Sequence, residues 1–347
     1  MEETLKVSFF INIYTMKKLF LFLALVSGYS AIAQTQDSKE LQENAKAYMR
    51  NGDYDNAALL LMKALDQSPT DISISKDLAL NYYLKKENTK ALEIIKPLLD
   101  RNDVDDQSFQ IAGNIYKAIE QTKEAEDMYK KALKKFPKSG ALYNEYGDLL
   151  SSMQNPSAIA QWEKGIEMDP GYSVNYYNAA KYYYFTTDKV WNIIYAEIFI
   201  NIDPLSAHTT EIKSLLLDGY KKLFAGSLNN ATGKNNFEQA FIQSMGKAYS
   251  GAENGINAEL LTMIRTRFVL DWFEKSAAKF PLRLFEYYQL LLREGIFPAY
   301  NQWIFGATEN LQAYQTWTVA HATEYADFNN FQKSRIFKLP TGQYYHK

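Results

Sequence analysis

The chain has 347 residues, with 38 Lys or Arg against 40 Asp or Glu, for a formal net charge of -2. That balance gives no strong field to draw nucleic acid or anionic lipid to the whole molecule. Cysteine is absent, which excludes disulfides, thiolate catalysis, Cys-based zinc sites and a lipid-modified N-terminal Cys.

The first segment reads as an address. From Met16 the chain runs MKKLFLFLALVSGYSAIAQ: Lys17 and Lys18 form a positive start, Leu19 to Val26 an apolar run, and Ala31-Ile32-Ala33 an A-x-A site before Gln34. These are the three parts of a secretory signal peptide. The apolar run is short of the roughly 20 residues of a membrane span. Residues 1–33 are thus expected to be a start extension plus a signal beginning at Met16. Cleavage would leave Gln34 first, in the periplasm or another exported compartment of a bacterium; retention would leave a membrane tether.

The next stretch repeats. Ala45, Tyr48, Ala57, Leu61, Ala64 and Pro69 form one set. Shifting by 34 gives Ala79, Tyr82, Ala91, Ile95, Leu98 and Asp103, and shifting again gives Gly113, Tyr116, Ala125, Tyr129, Ala132 and Pro137. A fourth unit keeps Gly147, Leu150, Ala158, Trp162 and Pro170, one residue short; a fifth keeps Ala180, Tyr183, Ala196 and Pro204. In the fifth, Asn192 stands where a small residue is expected. The internal spacings of three and four put each set on one helical face. Asn51-Gly52-Asp53 breaks the chain between two helices, and the prolines close the second helices. Each unit is a helical hairpin that buries its apolar face only by stacking on the next.

These positions resemble the tetratricopeptide repeat, or TPR, over about Lys39 to Ala207. The resemblance implies that the first helix of each hairpin lines a concave groove that takes a protein or peptide. Carried over position by position, the implied partner-binding residues are Lys46, Lys76, Asn114, Asn144, Tyr177, Lys181 and Tyr184. Some members hold a C-terminal carboxylate with Lys and Asn; Asn114, Asn144, Asn178 and Lys181 are the candidates for that role, although the full Lys and Asn order is not reproduced. Tyr182, Tyr183 and Tyr184 in the KYYYF run point in directions 100° apart on a helix, so they cannot share one core.

After Pro204 the register fades. Glu211 to Phe224 reads as a further amphipathic helix, a sixth first helix or a cap. AGSLNNATGKNN at 225–236 reads as a loop and as the domain boundary. Helices are expected over Phe237–Tyr249, Asn257–Lys279, Leu282–Arg293, Pro298–Phe305 and Glu309–Phe328. The tail KLPTGQYYHK has a turn at Pro340 to Gly342, then two tyrosines that either run free or lie against the helices. The expected fold class is all-α: a TPR-type solenoid of about five repeats with a capping helix over 38–224, a helical C-terminal domain over 237–330, and a tail over 331–347.

Chemistry leaves little trace. No GxSxG, P-loop or GxGxxG is present, and His208, His321 and His346 have no ligand spacing. His321 and Glu324 share a helical face as a surface pair. Arg265 and Arg267 stand at ion-pair spacing from Asp271 and Glu274. Asp103, Asp105 and Asp106 read as a loop without EF-hand spacing. No catalytic residue, metal ligand or cofactor is assigned. The reading is an exported scaffold that binds a protein or peptide, with no nucleic acid. Two alternatives stand beside it: an enzyme with its site in the C-terminal helices, and a membrane-tethered adaptor. A deep pocket of converging ionisable groups would mark the enzyme.

Overall fold

The computed structural model describes residues 37–226, 235–249 and 255–346. The signal segment and residues 227–234 of the expected boundary loop lie outside the described residues. The described chain is all helix. It forms two compact units, one ending at Arg101 and one starting at Asn102.

The first unit holds α1 (Ser38–Arg50), α2 (Tyr54–Gln67), α3 (Ile72–Leu84) and α4 (Asn88–Ile95), the last extended by a 3₁₀ turn, Lys96–Asp100. The second begins with three more hairpins: α5 (Asp106–Ala118) and α6 (Thr122–Lys135), α7 (Gly140–Ser152) and α8 (Ala158–Met168), α9 (Ser173–Tyr184) and α10 (Lys189–Ile202). Five helical hairpins therefore stand where the sequence repeats, and the N-terminal half has the TPR-type fold.

The period is written in the helix ends as well as in the core. Asp37, Asp71, Asp105 and Ser139 each cap a first helix, accepting from backbone N–H groups two or three residues on. Such caps satisfy donors that the first helical turn leaves free. Asp105 is thus a cap, and Asp106 the first residue of α5, rather than members of an open loop. At the other end, Gly52, Lys86, Glu120 and Gln154 all have positive φ, at 76°, 69°, 59° and 57°. At each the chain closes the same way: the N–H of this residue donates three residues back, and the next N–H donates five back, as in Gln121 to the Tyr116 carbonyl. This is the Schellman closure, which favours glycine at the left-handed residue. Only the first repeat has it.

The core shows why small and large residues alternate. Ala57, Ala91 and Ala125 are wholly buried, as are Ala45, Leu61, Ala79 and Ile95. In the third and fourth hairpins the exchange goes further. A Cβ added at Gly113 would overlap Tyr129 Oη, and one at Gly147 would overlap Trp162 Nε1. The large ring occupies the space that a missing side chain leaves in the facing helix.

The rest of the second unit is α11 (Thr209–Gly226), α12 (Asn236–Ala248), α13 (Ala258–Lys275), α14 (Arg283–Arg293), α15 (Phe297–Asn301), a π turn (Gln302–Gly306), α16 (Ala307–Glu309), α17 (Leu311–Ala320) and α18 (Ala322–Ser334). The expected single helix from Glu309 to Phe328 is instead broken at His321. There the imidazole stacks on Trp317, 4.2 Å between centroids, and the fold-back brings Tyr314 against Tyr325. The helices after Gly226 belong to the same compact unit as the third to fifth hairpins, packed around α10. Every residue from Val190 to Asn201 is buried, because α9 and α11 cover one side and C-terminal helices the other. A helix apolar on all sides belongs in an interior. Asn192, where the pattern expects a small residue, donates to the Ala180 carbonyl of α9 at 3.0 Å and packs against Gly219 of α11.

A buried ion pair sits in this interior. Glu197 on α10 is fully buried and pairs with Arg265 of α13, also fully buried. Tyr300 donates to Glu197 at 2.8 Å, Asn201 donates to the Tyr300 hydroxyl at 2.7 Å, and Arg265 also donates to Asn301. The guanidinium lies 4.6 Å from the Tyr288 ring centroid and 5.2 Å from that of Phe305. Arg265 therefore takes no part in the intrahelical pairing expected of Arg265 and Arg267 with Asp271 and Glu274. Asp271 binds Lys275 and Ser244 instead, because Arg265 points to the side of α13 that faces α10.

Two outcomes check this account. Glu120→Gly relieves a left-handed side chain on an exposed residue and should raise stability by about 0.5–1 kcal/mol, seen as a higher urea midpoint with unchanged slope. Arg265→Met strands a buried carboxylate and should cost about 3–5 kcal/mol. Adding Glu197→Met should restore most of that loss, read from the same denaturation curves.

Candidate interaction face

In both units the first helices of successive hairpins lie side by side: α1 with α3, and α5 with α7, α7 with α9 and α9 with α11. The second helices do not approach one another to the same degree. Within each stack this sets the first helices on the inner side of the bend, and their outward residues form its face. Side chains bridge neighbouring repeats at separations near the period, 34 residues for Asn178 to Asn144, Tyr177 to Glu211 and Tyr184 to Asp218.

In the first unit, Lys46 pairs with Glu43 at 2.9 Å and Asp77 at 3.6 Å. Gln42 donates to Ser73 and Asp77 beside it. Lys76 is half-buried one residue before Asp77 on α3.

The second unit carries a longer ladder. Lys117 of α5 meets Glu145 of α7 at 2.6 Å. Asp148, one turn on, is the hub. It accepts from Trp162 of α8 at 3.1 Å, Asn178 of α9 at 2.8 Å and Asn144 of its own helix at 3.1 Å. Burial pushes its carboxyl up to about 6, and Glu145 adds to this, while Trp162, Lys117 and Asn144 oppose it. Further along, Tyr177 donates to Glu211 at 2.8 Å, Lys181 pairs with Glu211 at 2.9 Å, and its ammonium stands 4.9 Å from the Tyr177 centroid. Tyr184 donates to Asp218 at 2.7 Å, with Lys222 at 3.8 Å from its ring centroid.

Tyr177, Lys181 and Tyr184 thus lie on the polar side of α9, while Asn144 is buried on α7, where it accepts from Asn178, and Asn114 is half-buried on α5. Asn144, Asn178 and Lys181 bind one another's carboxylate neighbours, so the proposed clamp donors are already engaged within the protein. Sequence reasoning missed the acids that engage this row, Glu145, Glu211 and Asp218; for Glu211 and Asp218 the signal was available in their place 34 residues from Tyr177 and Tyr184, whereas Glu145 lies 28 residues from Lys117.

The three adjacent tyrosines do separate. Tyr184 joins the polar face. Tyr183 is buried and donates to Glu163 at 2.8 Å. Tyr182 packs edge-on against the Tyr183 ring, and the following Phe185 is exposed.

Tyr183 leads to the tail, which lies against the helices. The Tyr345 ring stacks on Phe237 at 4.8 Å, and its hydroxyl donates to the Pro281 carbonyl at 2.7 Å. Asn235 donates to the Tyr345 carbonyl at 2.9 Å. His346 sits with Nδ1 2.9 Å from Glu163 and Nε2 2.9 Å from the Tyr183 hydroxyl. Asp188, Glu238 and His346 bring ligand-type atoms within 4.8 Å of one another, a grouping that their sequence positions hide. Both imidazole nitrogens are occupied as described, and Glu238 accepts from Trp191 at 2.5 Å. Burial works against charging His346, but the Glu163 carboxylate outweighs it, with Asp188 and Glu238 adding to the pull, so its pKa rises.

No protein-family model matches the chain, and no curated protein matches it. Solved structures do. A thermophilic TPR protein of Thermus thermophilus, TTC0263, shares 17% identity over 52% of this chain and 99% of its own, with a TM-score of 0.44. Pseudomonas aeruginosa PilF shares 18% over 55% and 93%, with a TM-score of 0.45. YrrB, described as a TPR protein with an unusual peptide-binding site, shares 18% over 51% and 92%, with a TM-score of 0.36.

A raised His346 pKa means that its contribution is complete below the imidazole's unfolded value and fades as pH climbs through the folded one. The melting difference between the wild type and His346→Gln should therefore be larger at pH 5.5 than at pH 8.5. The gap should change by roughly 1 kcal/mol, the scale of one charge-assisted hydrogen bond. Equal differences at both pH values would count against the Glu163 contact.

Proposed function

We propose that the protein is an exported TPR-type scaffold that binds a protein or peptide along the first-helix face of its second unit. The supporting observation is the continuous row of amide, tyrosine, lysine and carboxylate side chains from α5 to α11. Stacked hairpins offer such a face as a direct result of their geometry, and extended partners bind it through side-chain amides and paired charges. The row is satisfied internally, so a partner gains by exchanging these hydrogen bonds for its own. Half-exposed pairs such as Lys181 with Glu211 cost little to open. Export rests on the Met16 to Ala33 segment alone. Among the described residues no helix is long and apolar enough to cross a membrane.

The test is site-specific photo-crosslinking in the producing cell. A photoreactive residue at Asn114 or Tyr177 should capture a discrete adduct, and one at Leu59, exposed on a second helix, should not. With the photoreactive residue at Asn114, combined Tyr177→Ala and Lys181→Ala should lower adduct yield by about tenfold, the effect of one or two strong contacts. Equal capture at Leu59 would reject the face. An intact mass beginning at Gln34 checks cleavage; a mass retaining Met16 would favour the tethered form.

A further inference from the structure

Away from that face, the second unit holds an open cavity of about 440 Å³ between the end of α10, α14, the π turn and the extended segment after α18. The volume falls in the range of small-molecule sites, about 300–1,000 Å³. Its walls are apolar: Leu205, Leu290, Trp303, Ile336 and Phe337. Leu205 and Ile336 are 95% and 80% exposed, so the apolar lining continues out to the rim. Trp303 is fixed from another side by Lys213, whose ammonium lies 3.7 Å from its ring centroid and donates to its carbonyl at 2.7 Å.

The charge around this cavity is one-sided. Its lining includes Arg283, Lys333 and Arg335 and no carboxylate. Arg283 reaches Glu286 at 3.3 Å, a half-exposed pair three residues apart on one helix, which a ligand displaces at little cost. Arg335 lies over the Phe331 ring at 4.7 Å. Both guanidiniums bear on one hydroxyl in the wall, that of Tyr287: burial pushes it up to about 12 while Arg335 and then Arg283 pull the other way. Guanidinium pairs well with a planar carboxylate, through two parallel hydrogen bonds.

We propose that this cavity binds a small organic acid, with an apolar acyl body against Leu290, Trp303 and Phe337 and its carboxylate between Arg283 and Arg335. The proposal is independent of the first-helix face and survives its failure.

Calorimetric titration of the full chain with decanoate tests it, with decylammonium as the charge-reversed probe. Decanoate should bind with sub-millimolar affinity, and decylammonium at least about tenfold more weakly, since charge-assisted contacts are lost. Arg335→Glu should weaken decanoate about tenfold or more, and Lys134→Glu on α6 should leave it unchanged. Leu205→Glu, at an exposed rim position, should also weaken it without affecting folding. Absence of decanoate binding up to about 1 mM, equal binding of decylammonium, or an unaffected Arg335→Glu variant would overturn the assignment. Tighter binding of acetyl-Ala-Phe with a free carboxylate than of decanoate would overturn it in favour of a peptide C-terminus.

Discussion

The second unit is organised around the need to bury α10 on every side. A run of twelve residues from Val190 to Asn201 with no exposed member leaves no face for water. Packing against α9 and α11 covers only the sides that a repeat normally covers. The remaining surface has to be supplied by other elements, and α12 to α15 supply it. The charge of Glu197 then has to be met inside, since an isolated buried carboxylate is very costly. Arg265 and Tyr300 meet it, with Arg265 held in turn by Asn301, and so fix how α13 and α15 approach the hairpins. The helical C-terminal region is therefore joined to the third to fifth repeats as one body, through an interior helix that both share.

The polar face follows from the other side of the same hairpins. First helices pack close, so side chains 34 residues apart come within hydrogen-bond reach. With amides, acids and lysines at those places, the face satisfies itself. Asp148 is the clearest case: its carboxylate ties α7, α8 and α9 together. Binding on such a surface is an exchange of hydrogen bonds, which favours selectivity over raw affinity.

The tail adds a third kind of contact. Tyr345 stacks against Phe237, and His346 reaches Glu163 on α8, so residues near the end of the chain connect helices from both regions of the second unit. The imidazole thereby links elements more than a hundred residues apart in sequence.

The repeats were legible because their information is local. Alanine or glycine opposite leucine, tyrosine or tryptophan, at fixed spacing, states which faces meet before any coordinates are known. The break at Gly52 and the closing prolines state where the helices end. The candidate face could be named only as positions that the TPR resemblance implies. The acids engaging those positions, the burial of Arg265, the break at His321 and the cationic cavity could not be read. Each depends on residues far apart in the chain being brought together, and no local period records that. Asn192 looks like decay of the pattern when the fifth repeat is read alone. Tertiary structure gives it a place, donating to the Ala180 carbonyl and filling the space beside Gly219, while Glu197 on the same helix meets Arg265 and Tyr300 of the second layer, because only folding brings those elements together.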